Sequence, residues 1–380
     1  MSAAEPVSPA AFLPAVRARL APFAFGSANF EALGAEQAAP LGEHLRLYRR
    51  LLPVSGEILP AVEEAVAQAC TRLGLPRPAV HAFIHPSADL NASCYSGIRG
   101  SAVIVLNAGM VECLQTEELA YVVGHELGHY LMPLPYGQAS IEDALRAREL
   151  ELTMDRFGLL ACGDLKHAGS AILKIQSGLG SRHIRSDLAA FIQNGRTALD
   201  AEVQDHETRF THPPEFVRLR ALNAFVLSDV FRSALGREGG QPIAEINAGI
   251  RRDLDRAVDA RARELMEQAL TKVGQVMVAY LVACKIKVES AKFNRDGLTL
   301  DLERVRALAG NWSAMQPPQR DEAFSKRLAE LLPVVATACP RRADAYLVAL
   351  AGEYPGSPIA EVCQGVRIGL QQARVAAARE

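Results

Sequence analysis

The amino-acid sequence predicts an α+β fold that is mostly helical. Two short runs, residues 79–84 and 101–106, are rich in apolar and β-branched residues and predict strands of a small sheet. Much of the remaining chain spaces its apolar residues three or four positions apart, which is typical of amphipathic helices. From residue 243 onwards only this helical spacing is found. We therefore expect a domain that combines helices with a short sheet, followed by an all-helical domain.

The elements of the first part can be placed in chain order. Apolar spacing predicts helices at residues 10–20, 30–52 and 55–73. The stretch 88–100, between the two strand-like runs, is polar and rich in turn-forming residues, so a loop is expected there. The short run 101–106 could be a core strand, and it could also pair with the backbone of an extended peptide substrate.

The domain boundaries follow from a change of pattern near residue 240. Gly239 and Gly240, followed by Pro242, predict a linker. This divides the chain into an N-terminal helical segment (1–55), a central domain (56–238) and a C-terminal helical domain (243–380). The C-terminal helices are predicted at about residues 243–259, 260–292, 300–308, 320–332, 341–351 and 359–378.

Composition excludes several classes of protein. The chain has 380 residues with a formal net charge of −2, so no basic surface argues for nucleic-acid binding. Its seven cysteines form no Cys-x-x-Cys pair, which predicts free and mostly buried thiols in a reducing compartment. The longest apolar run, residues 276–284, is too short to span a membrane. We expect a cytoplasmic protein with no signal peptide and no integral membrane segment, with peripheral membrane association left open.

One predicted helix, residues 116–132, carries the sequence His-Glu-Leu-Gly-His at positions 125–129. Thr116 is the expected N-cap, and two prolines end the helix shortly after Met132. Gly124 and Gly128 each cost a helix about 1 kcal/mol relative to alanine. Two such glycines four positions apart indicate that another element packs close against this helix.

The H-E-x-x-H pattern is typical of zinc hydrolases. Positions i and i+4 share one face of a helix, so His125 and His129 can bind the same metal ion. Glu126, next to His125, can then reach a water molecule on the metal. The pattern is short enough to occur by chance on a surface helix, so further ligands must support it.

A catalytic zinc usually has three protein ligands, so a third is needed. Residues 140–143 resemble a capping box that begins a helix reaching to about Cys162, and this helix carries Glu151 and Asp155. Carboxylates four apart usually lie on a solvated face. Here the pair follows the motif helix after a short connection, which makes Glu151 the best candidate for the third ligand. Asp155 could then accept the second ring N–H of a zinc-bound histidine.

Other sources of a third ligand have less support. The longer motif that ends in a third histidine needs glycine at position 132 and histidine at position 135, where this chain has methionine and proline. His167, His183 and His206 remain possible in principle, and no pattern supports any of them.

Three blocks of sequence resemble one family. The motif at 125–129, the Glu-x-x-x-Asp pair at 151 and 155, and Thr211-His212-Pro213-Pro214 with the downstream Arg218 occur in the family's order. The chain is similar over residues 56–222 to the gluzincin family of HtpX and the CAAX prenyl proteases, family forty-eight of the metallopeptidases. Many members place their site among transmembrane helices, and none is visible in this sequence.

The resemblance implies one Zn²⁺ per chain, a gluzincin-like fold and proteolytic activity. It matches His212 to the family's motif histidine, which could donate to the carbonyl oxygen during hydrolysis, and Arg218 to its downstream arginine. His212 could instead only cap or pack a helix, in which case Arg218 and then Tyr95 would be the next candidate donors. Asn91, with the alanine after it, is similar to the Asn-Ala that precedes the family's active-site edge strand.

The sequence thus predicts a zinc-dependent endopeptidase. Its metal ligands are His125, His129 and Glu151, its general base is Glu126, and Asp155 orients a ligand histidine. Asn91, Val103 and Val105 are the predicted substrate-binding residues. The expected partners are a protein or peptide substrate and a possible protein at the C-terminal helical domain.

Three alternatives stay open from the sequence. The chain could be a scaffold or interaction protein with a structural zinc, an inactive relic whose helical half performs the function, or a zinc hydrolase that does not cleave peptides. Because every predicted ligand precedes residue 239, we also expect that residues 243–380 can be removed without loss of zinc.

Overall fold

The computed structural model describes residues 9–26, 50–96, 100–132, 140–185, 187–200, 211–294 and 299–377. The fold is α+β and mostly helical, as predicted, with one four-stranded sheet among the described residues. The chain divides into two compact units. Unit 1 comprises Met1–Pro135, Arg146–Asp205 and His212–Ala257, and unit 2 comprises Tyr136–Leu145, His206–Thr211 and Val258–Glu380.

Helices α1 to α10 belong to unit 1, except that the first residues of α5 are counted with unit 2. They are α1 (Pro9–Leu20), α2 (Pro60–Leu73), α3 (Ala108–Cys113), α4 (Thr116–Leu131), α5 (Ile141–Cys162), α6 (Leu165–Ser177), α7 (Leu188–Asp200), α8 (Glu215–Phe225), α9 (Asp229–Ala234) and α10 (Ile243–Leu254). The predicted helix 30–52 lies almost entirely outside the described residues. The next predicted helix begins at Pro60 rather than at residue 55, since proline is favoured in the first turn of a helix.

The sheet consists of β1 (Leu52–Pro53), β2 (Val80–His85), β3 (Ala92–Ser96) and β4 (Ala102–Asn107), in the order β1-β2-β4-β3. β2 and β4 are parallel, and both strand predictions are confirmed. β3 was predicted as part of a loop. It is short and half polar, and it pairs with the described chain along one side only, antiparallel to β4.

β4 is not available to a substrate backbone. It pairs with β2 along one side and with β3 along the other, and Val103 is fully buried. The prediction that this strand binds substrate through Val103 and Val105 is therefore wrong. Among the described strands β1 and β3 are the two outermost, and β3 is the one that lies next to β4.

Helix α4 carries the H-E-x-x-H motif and lies in the core of unit 1. Its N-cap is Gln115 rather than Thr116: the Gln115 side chain accepts from the backbone N–H of Glu118, while the Glu118 carboxylate accepts from the backbone N–H of Gln115. The same carboxylate is buried and accepts from Ser170 and Lys174 of α6, both at 2.6 Å. These bonds fix the first turn of the motif helix. The prolines predicted to end it lie outside the described residues.

Helix α5 packs directly against α4, which explains the two motif glycines. A Cβ on Gly124 would overlap with the side chain of Ala161, and a Cβ on Gly128 would overlap with Met154. From the other side, a Cβ on Gly158 would lie 2.7 Å from the backbone oxygen of Tyr121. The predicted close contact is confirmed. The start of α5 is also as predicted, since the Ser140 hydroxyl accepts from the backbone N–H of Asp143.

The segment that follows the glycine pair at 239 and 240 is held within unit 1 by main-chain hydrogen bonds. The N–H of Gln241 donates to the carbonyl of Leu227, and the N–H of Asp229 donates to the carbonyl of Gln241. Gly240 has φ +130°, and a Cβ there would lie 2.6 Å from the Asp229 nitrogen. Helix α10 follows the glycines and packs on α8, so unit 1 extends to Ala257 rather than ending at the glycines.

Unit 2 contains α11 (Ala260–Ala283), α12 (Ser290–Phe293), α13 (Leu302–Ser313), α14 (Pro317–Ala338), α15 (Pro340–Glu353) and α16 (Pro358–Ala377). These helices share one apolar core, which includes Trp312. All seven cysteines of the chain are unpaired, as predicted. In the part of the chain that is described, no helix combines the length and apolar composition needed to cross a membrane.

Candidate metal centre

Helices α4 and α5 bring three potential ligands together. His125 and His129 are one turn apart on α4, and their rings meet edge to face with centroids 5.1 Å apart. Glu151 of α5 lies opposite them, with Oε2 at 3.3 Å from His125 Nε2 and Oε1 at 3.5 Å from His129 Nε2. The ligand atoms of these three residues all lie within 4.8 Å of one another. The structure thus brings together the three residues predicted to bind the metal.

The spacing and chemistry of this group fit a zinc ion. Ligands about 2.0–2.1 Å from a tetrahedral ion lie roughly 3.3 Å from each other, close to the separations found here. Two imidazoles and a carboxylate are also a known catalytic zinc set. Oε2 of Glu151 is buried and has no hydrogen-bond partner among the described residues. A buried carboxylate oxygen without a donor is unfavourable, and a cation at this position would satisfy it.

Asp155 lies one turn beyond Glu151 on α5 and connects three other side chains. Its Oδ1 accepts from the Tyr121 hydroxyl at 2.6 Å and lies 3.1 Å from His125 Nδ1. Arg218 of α8 donates to both oxygens, at 2.9 Å from Nε and 2.6 Å from Nη2. An ionised carboxylate can only accept, so Nδ1 of His125 must carry a proton, which leaves Nε2 as the ring nitrogen that could bind a metal.

The electrostatics of the cluster also favour a cation. Burial opposes ionisation of Asp155, but Arg218 holds the pKa of this carboxyl well below its usual range. Burial acts in the same direction on Glu151, and His125 nevertheless lowers its pKa to about 2. In the absence of metal, Asp155 and Glu151 outweigh the burial of His125 and raise its pKa to about 10, whereas burial lowers the pKa of His129 to about 4. The positive charge of Arg218 neutralises the negative charge of Asp155. The negative charge of Glu151 is then left to be neutralised by a cation at the ligand positions.

Glu126 lies beside the ligands, and its side chain makes no hydrogen bond to any described residue. Burial raises the pKa of its carboxyl to about 7, with Glu151 adding to the shift and His125 opposing it. A carboxyl group with a pKa near 7 can both accept a proton from water and release it near neutral pH. Its position next to His125 agrees with the predicted role of general base.

His212 stands at the edge of the cluster. It precedes α8, and its Nε2 lies 3.5 Å from Oε1 of Glu151. Its side chain is 62% exposed, whereas that of Glu151 is only 5% exposed. His212 can therefore reach a group bound in the open part of the site. Arg218, four residues after Pro214, donates to Asp155 through both Nε and Nη2.

Other predicted residues have different positions. His167 pairs with Asp164, and His183 accepts from Arg182, so neither faces the metal centre. His206 lies outside the described residues. Asn91 is exposed at the start of β3, where its side chain accepts from the N–H of Ala92.

Two features of the site were not predicted from the sequence. Tyr121 was given no role, although its position four residues before His125 was the signal that it could reach the same carboxylate. The edge strand β3 was read as a loop, and it passes close to the site. The charge of Glu126 contributes to the raised pKa of Cys94 in the middle of this strand, after burial of the thiol.

Comparison with known proteins supports the peptidase resemblance. The family model described as Peptidase family M48 matches residues 59–146, which include both histidines of the motif and end before Glu151. The plastoglobule-localized metallopeptidase 48, chloroplastic, of Arabidopsis thaliana is 25% identical over 216 residues. This alignment covers 48% of the present chain and 62% of the relative. No solved structure gives a significant match.

Both matches are to peptidases, and the Arabidopsis relative is named a metallopeptidase. They do not distinguish between HtpX-like and CAAX-protease-like members, and that part of the resemblance stays a prediction. The predicted cytoplasmic location also stays a prediction. The family model does not reach Glu151, whose place beside the two histidines is given by the packing of α5 on α4.

Proposed function

We propose that this chain is a zinc-dependent endopeptidase. The observation that supports this most directly is the convergence of His125, His129 and Glu151, with a buried carboxylate oxygen that lacks a donor. These three residues would hold one Zn²⁺ per chain. The similarity of residues 59–146 to a family of peptidases supports a peptide or protein as the substrate.

When bound, zinc would supply a more acidic water and polarise the scissile carbonyl. Glu126 would accept the proton of the attacking water and pass it to the leaving nitrogen. The raised pKa of Glu126 suits both steps, the uptake of the proton from water and its release to the nitrogen. Tyr121 and Arg218 would hold Asp155, and Asp155 would keep the His125 ring in the tautomer that presents Nε2 to the metal.

His212 is the proposed donor to the carbonyl oxygen. Negative charge develops on this oxygen as the peptide bond is attacked, and a donor at this point lowers the barrier. The exposed ring of His212, close to Glu151, is suitably placed for such a contact.

The outer edge of β3 is the proposed site for the substrate backbone. An extended peptide could add a strand there through main-chain hydrogen bonds, with Asn91 at the beginning of the edge. Cys94 of this strand lies within the electrostatic influence of Glu126, so a peptide on β3 would pass the general base. An edge that binds the middle of a chain favours an endopeptidase over an enzyme that binds only chain ends.

Zinc analysis of the purified protein, combined with Glu126→Gln, tests this proposal. The wild type should contain about one zinc and cleave peptides in a library, and Glu126→Gln should retain zinc while turnover falls by about 10²–10⁴. Glu151→Ala should lose zinc. Full activity in the presence of a chelator, or normal turnover by Glu126→Gln, would contradict the proposal. Unchanged zinc affinity of Glu151→Ala would mean that the third ligand lies elsewhere.

The helical domain formed by α11 to α16 is proposed as the part that could bind a protein partner. For the catalytic domain we propose an end at Ala257 rather than at residue 238, because α10 packs within unit 1.

A further inference from the structure

The N-terminal residues contact both helices that carry the proposed metal ligands. We call residues 9–26 the N-terminal clamp; they comprise α1, the turn Ala21–Phe23 and the three residues after it. The clamp precedes the segment that matches the peptidase family. Its apolar side chains are buried in the same core cluster as those of α4 and α5: Phe12, Leu13, Val16, Leu20 and Phe23.

The first contact is at the C-terminal end of α4. The Arg17 guanidinium donates through Nε to the carbonyl of Leu131 at 3.2 Å. Carbonyls in the last turn of a helix lack partners within the helix, and a cation there also suits the helix dipole. Leu131 is only two residues beyond His129, so Arg17 secures the turn that carries the second histidine.

The second contact is at the middle of α5. The backbone N–H of Phe25 donates to Thr153 Oγ1 at 3.0 Å, and the bond is buried. Thr153 lies two residues from both Glu151 and Asp155, which is roughly 200° around a helix of 3.6 residues per turn. The clamp therefore holds α5 from the side opposite the two carboxylates of the site.

Arg156 strengthens this second contact. It is 1% exposed, and its Nη1 donates to the carbonyl of Phe23 at 3.0 Å while Nη2 donates to Asn247 at 2.6 Å. Its guanidinium carbon lies 5.2 Å from the ring centre of Phe25, within the range of a cation–π contact. Phe25 itself is fully buried. The clamp is thus fixed to α5 by backbone bonds at two points, Phe23 and Phe25.

From these contacts we propose that the N-terminal clamp is a positioning element of the metal centre, an inference that rests on the proposed function. No clamp residue is proposed to touch metal or substrate. Arg17 limits movement of the end of α4, and Thr153 and Arg156 limit rotation of α5. Loosening either contact should let the histidines and Glu151 move apart, which weakens metal binding before it affects substrate binding.

Two variants of the full-length chain test this proposal. Thr153→Val keeps the side-chain shape and removes the acceptor for Phe25, and Arg17→Met removes the donor to Leu131. Each should raise the dissociation constant for zinc about 3–10-fold, less than the roughly 10–100-fold typical of groups that contact a ligand directly. Thr153→Ser keeps the hydroxyl and should retain wild-type affinity. Zinc affinity is measured by competition with a chelator, well below the unfolding temperature of every variant.

Matched controls separate positioning from general packing. Thr71 bonds to the carbonyl four residues earlier on α2, as Thr153 does on α5, but accepts no described donor from another element, so Thr71→Val should leave zinc affinity unchanged. Arg232 donates to a backbone carbonyl at an exposed turn, and Arg232→Met serves as the control for Arg17→Met. At saturating zinc, the clamp variants should show lower kcat with little change of KM.

The outcomes distinguish the two proposals. If the wild type binds no zinc, the proposed function fails. If the wild type binds zinc and both clamp variants bind it with wild-type affinity, the clamp is only a structural part of the core and the inference is overturned. Equal weakening of binding in the clamp variants and in the controls would also overturn it. Loss of affinity in Thr153→Val with recovery in Thr153→Ser would support it.

Discussion

Replacing Asp155 by asparagine should weaken both the fold and the metal centre, because one of its oxygens becomes a donor. Oδ1 faces three donors, from Tyr121, His125 and Arg218, and Oδ2 faces Arg218 Nε. In the asparagine variant the amide nitrogen must point at a donor whichever way the group turns. The less unfavourable orientation keeps the oxygen toward Tyr121 and His125 and places the NH₂ group against Arg218.

The size of the effect follows from burial. The Asp155 side chain is 1% exposed and that of Arg218 is 15% exposed, so the variant leaves a largely buried guanidinium without its counter-charge. Breaking a buried ion pair by removing one charge typically costs about 3–5 kcal/mol. For a domain of about 150–250 residues, each kcal/mol lowers the unfolding midpoint by about 2–4 °C, so a decrease of about 6–20 °C is expected. Zinc affinity should fall about 10–100-fold, because the His125 ring loses a charged acceptor.

A second substitution separates these two effects. Adding Arg218→Met to Asp155→Asn removes the unpaired guanidinium, so part of the stability should return. Zinc affinity should stay low, because the amide oxygen that faces His125 carries no full charge. The free energy of unfolding is measured by denaturant titration of the metal-free protein, and zinc affinity by chelator competition. A single variant with wild-type stability, or a double variant no more stable than the single one, would refute the role assigned to Asp155.

Three further predictions follow from contacts in unit 1. Gly124→Ala should destabilise the protein by about 1–3 kcal/mol in a denaturant titration, because the added methyl group overpacks against α5. Gly310→Ala is the control: a Cβ there meets nothing within 4 Å, so this variant should be neutral or stabilising in the same titration. Equal effects of the two substitutions would contradict close packing of α4 and α5. Lys174→Met should lower the free energy of unfolding by about 3–5 kcal/mol, because the Glu118 carboxylate stays buried without its cation. A decrease below about 1 kcal/mol would contradict a stabilising ion pair between these two residues. His212→Ala should keep zinc and lower kcat about 10²–10³ with little change of KM; full kcat in steady-state assays would exclude the proposed donor.

Features that depend on local spacing could be read from the sequence. His125 and His129 share a face because they are four residues apart, and α5 begins and ends where its capping pattern and apolar spacing indicate. The motif glycines predicted a close neighbour, and the structure identifies it as α5. In each case the information lies within about one or two turns of a helix, where geometry is fixed by the helical repeat.

Features that depend on pairing between distant segments could not be read in this way. β3 has a short and half-polar sequence, and only its pairing with β4 makes it a strand. Val103 and Val105 looked like an edge because no pattern within β4 reveals that strands lie on both sides of it. The glycines at 239 and 240 resemble those of a linker, whereas Gly240 is required by the close approach of Asp229.

The position of α10 determines where unit 1 can be shortened. All proposed ligands precede residue 239, which favoured an end at the glycines. However, α10 lies beyond that point, and its Asn247 accepts from Arg156 while its Arg251 pairs with Glu149. Both partners are on α5, within five residues of Glu151. A chain that ended at residue 242 would leave the Arg156 guanidinium buried with one donor unpaired, so the ligand set would remain in the sequence while α5 lost part of its support.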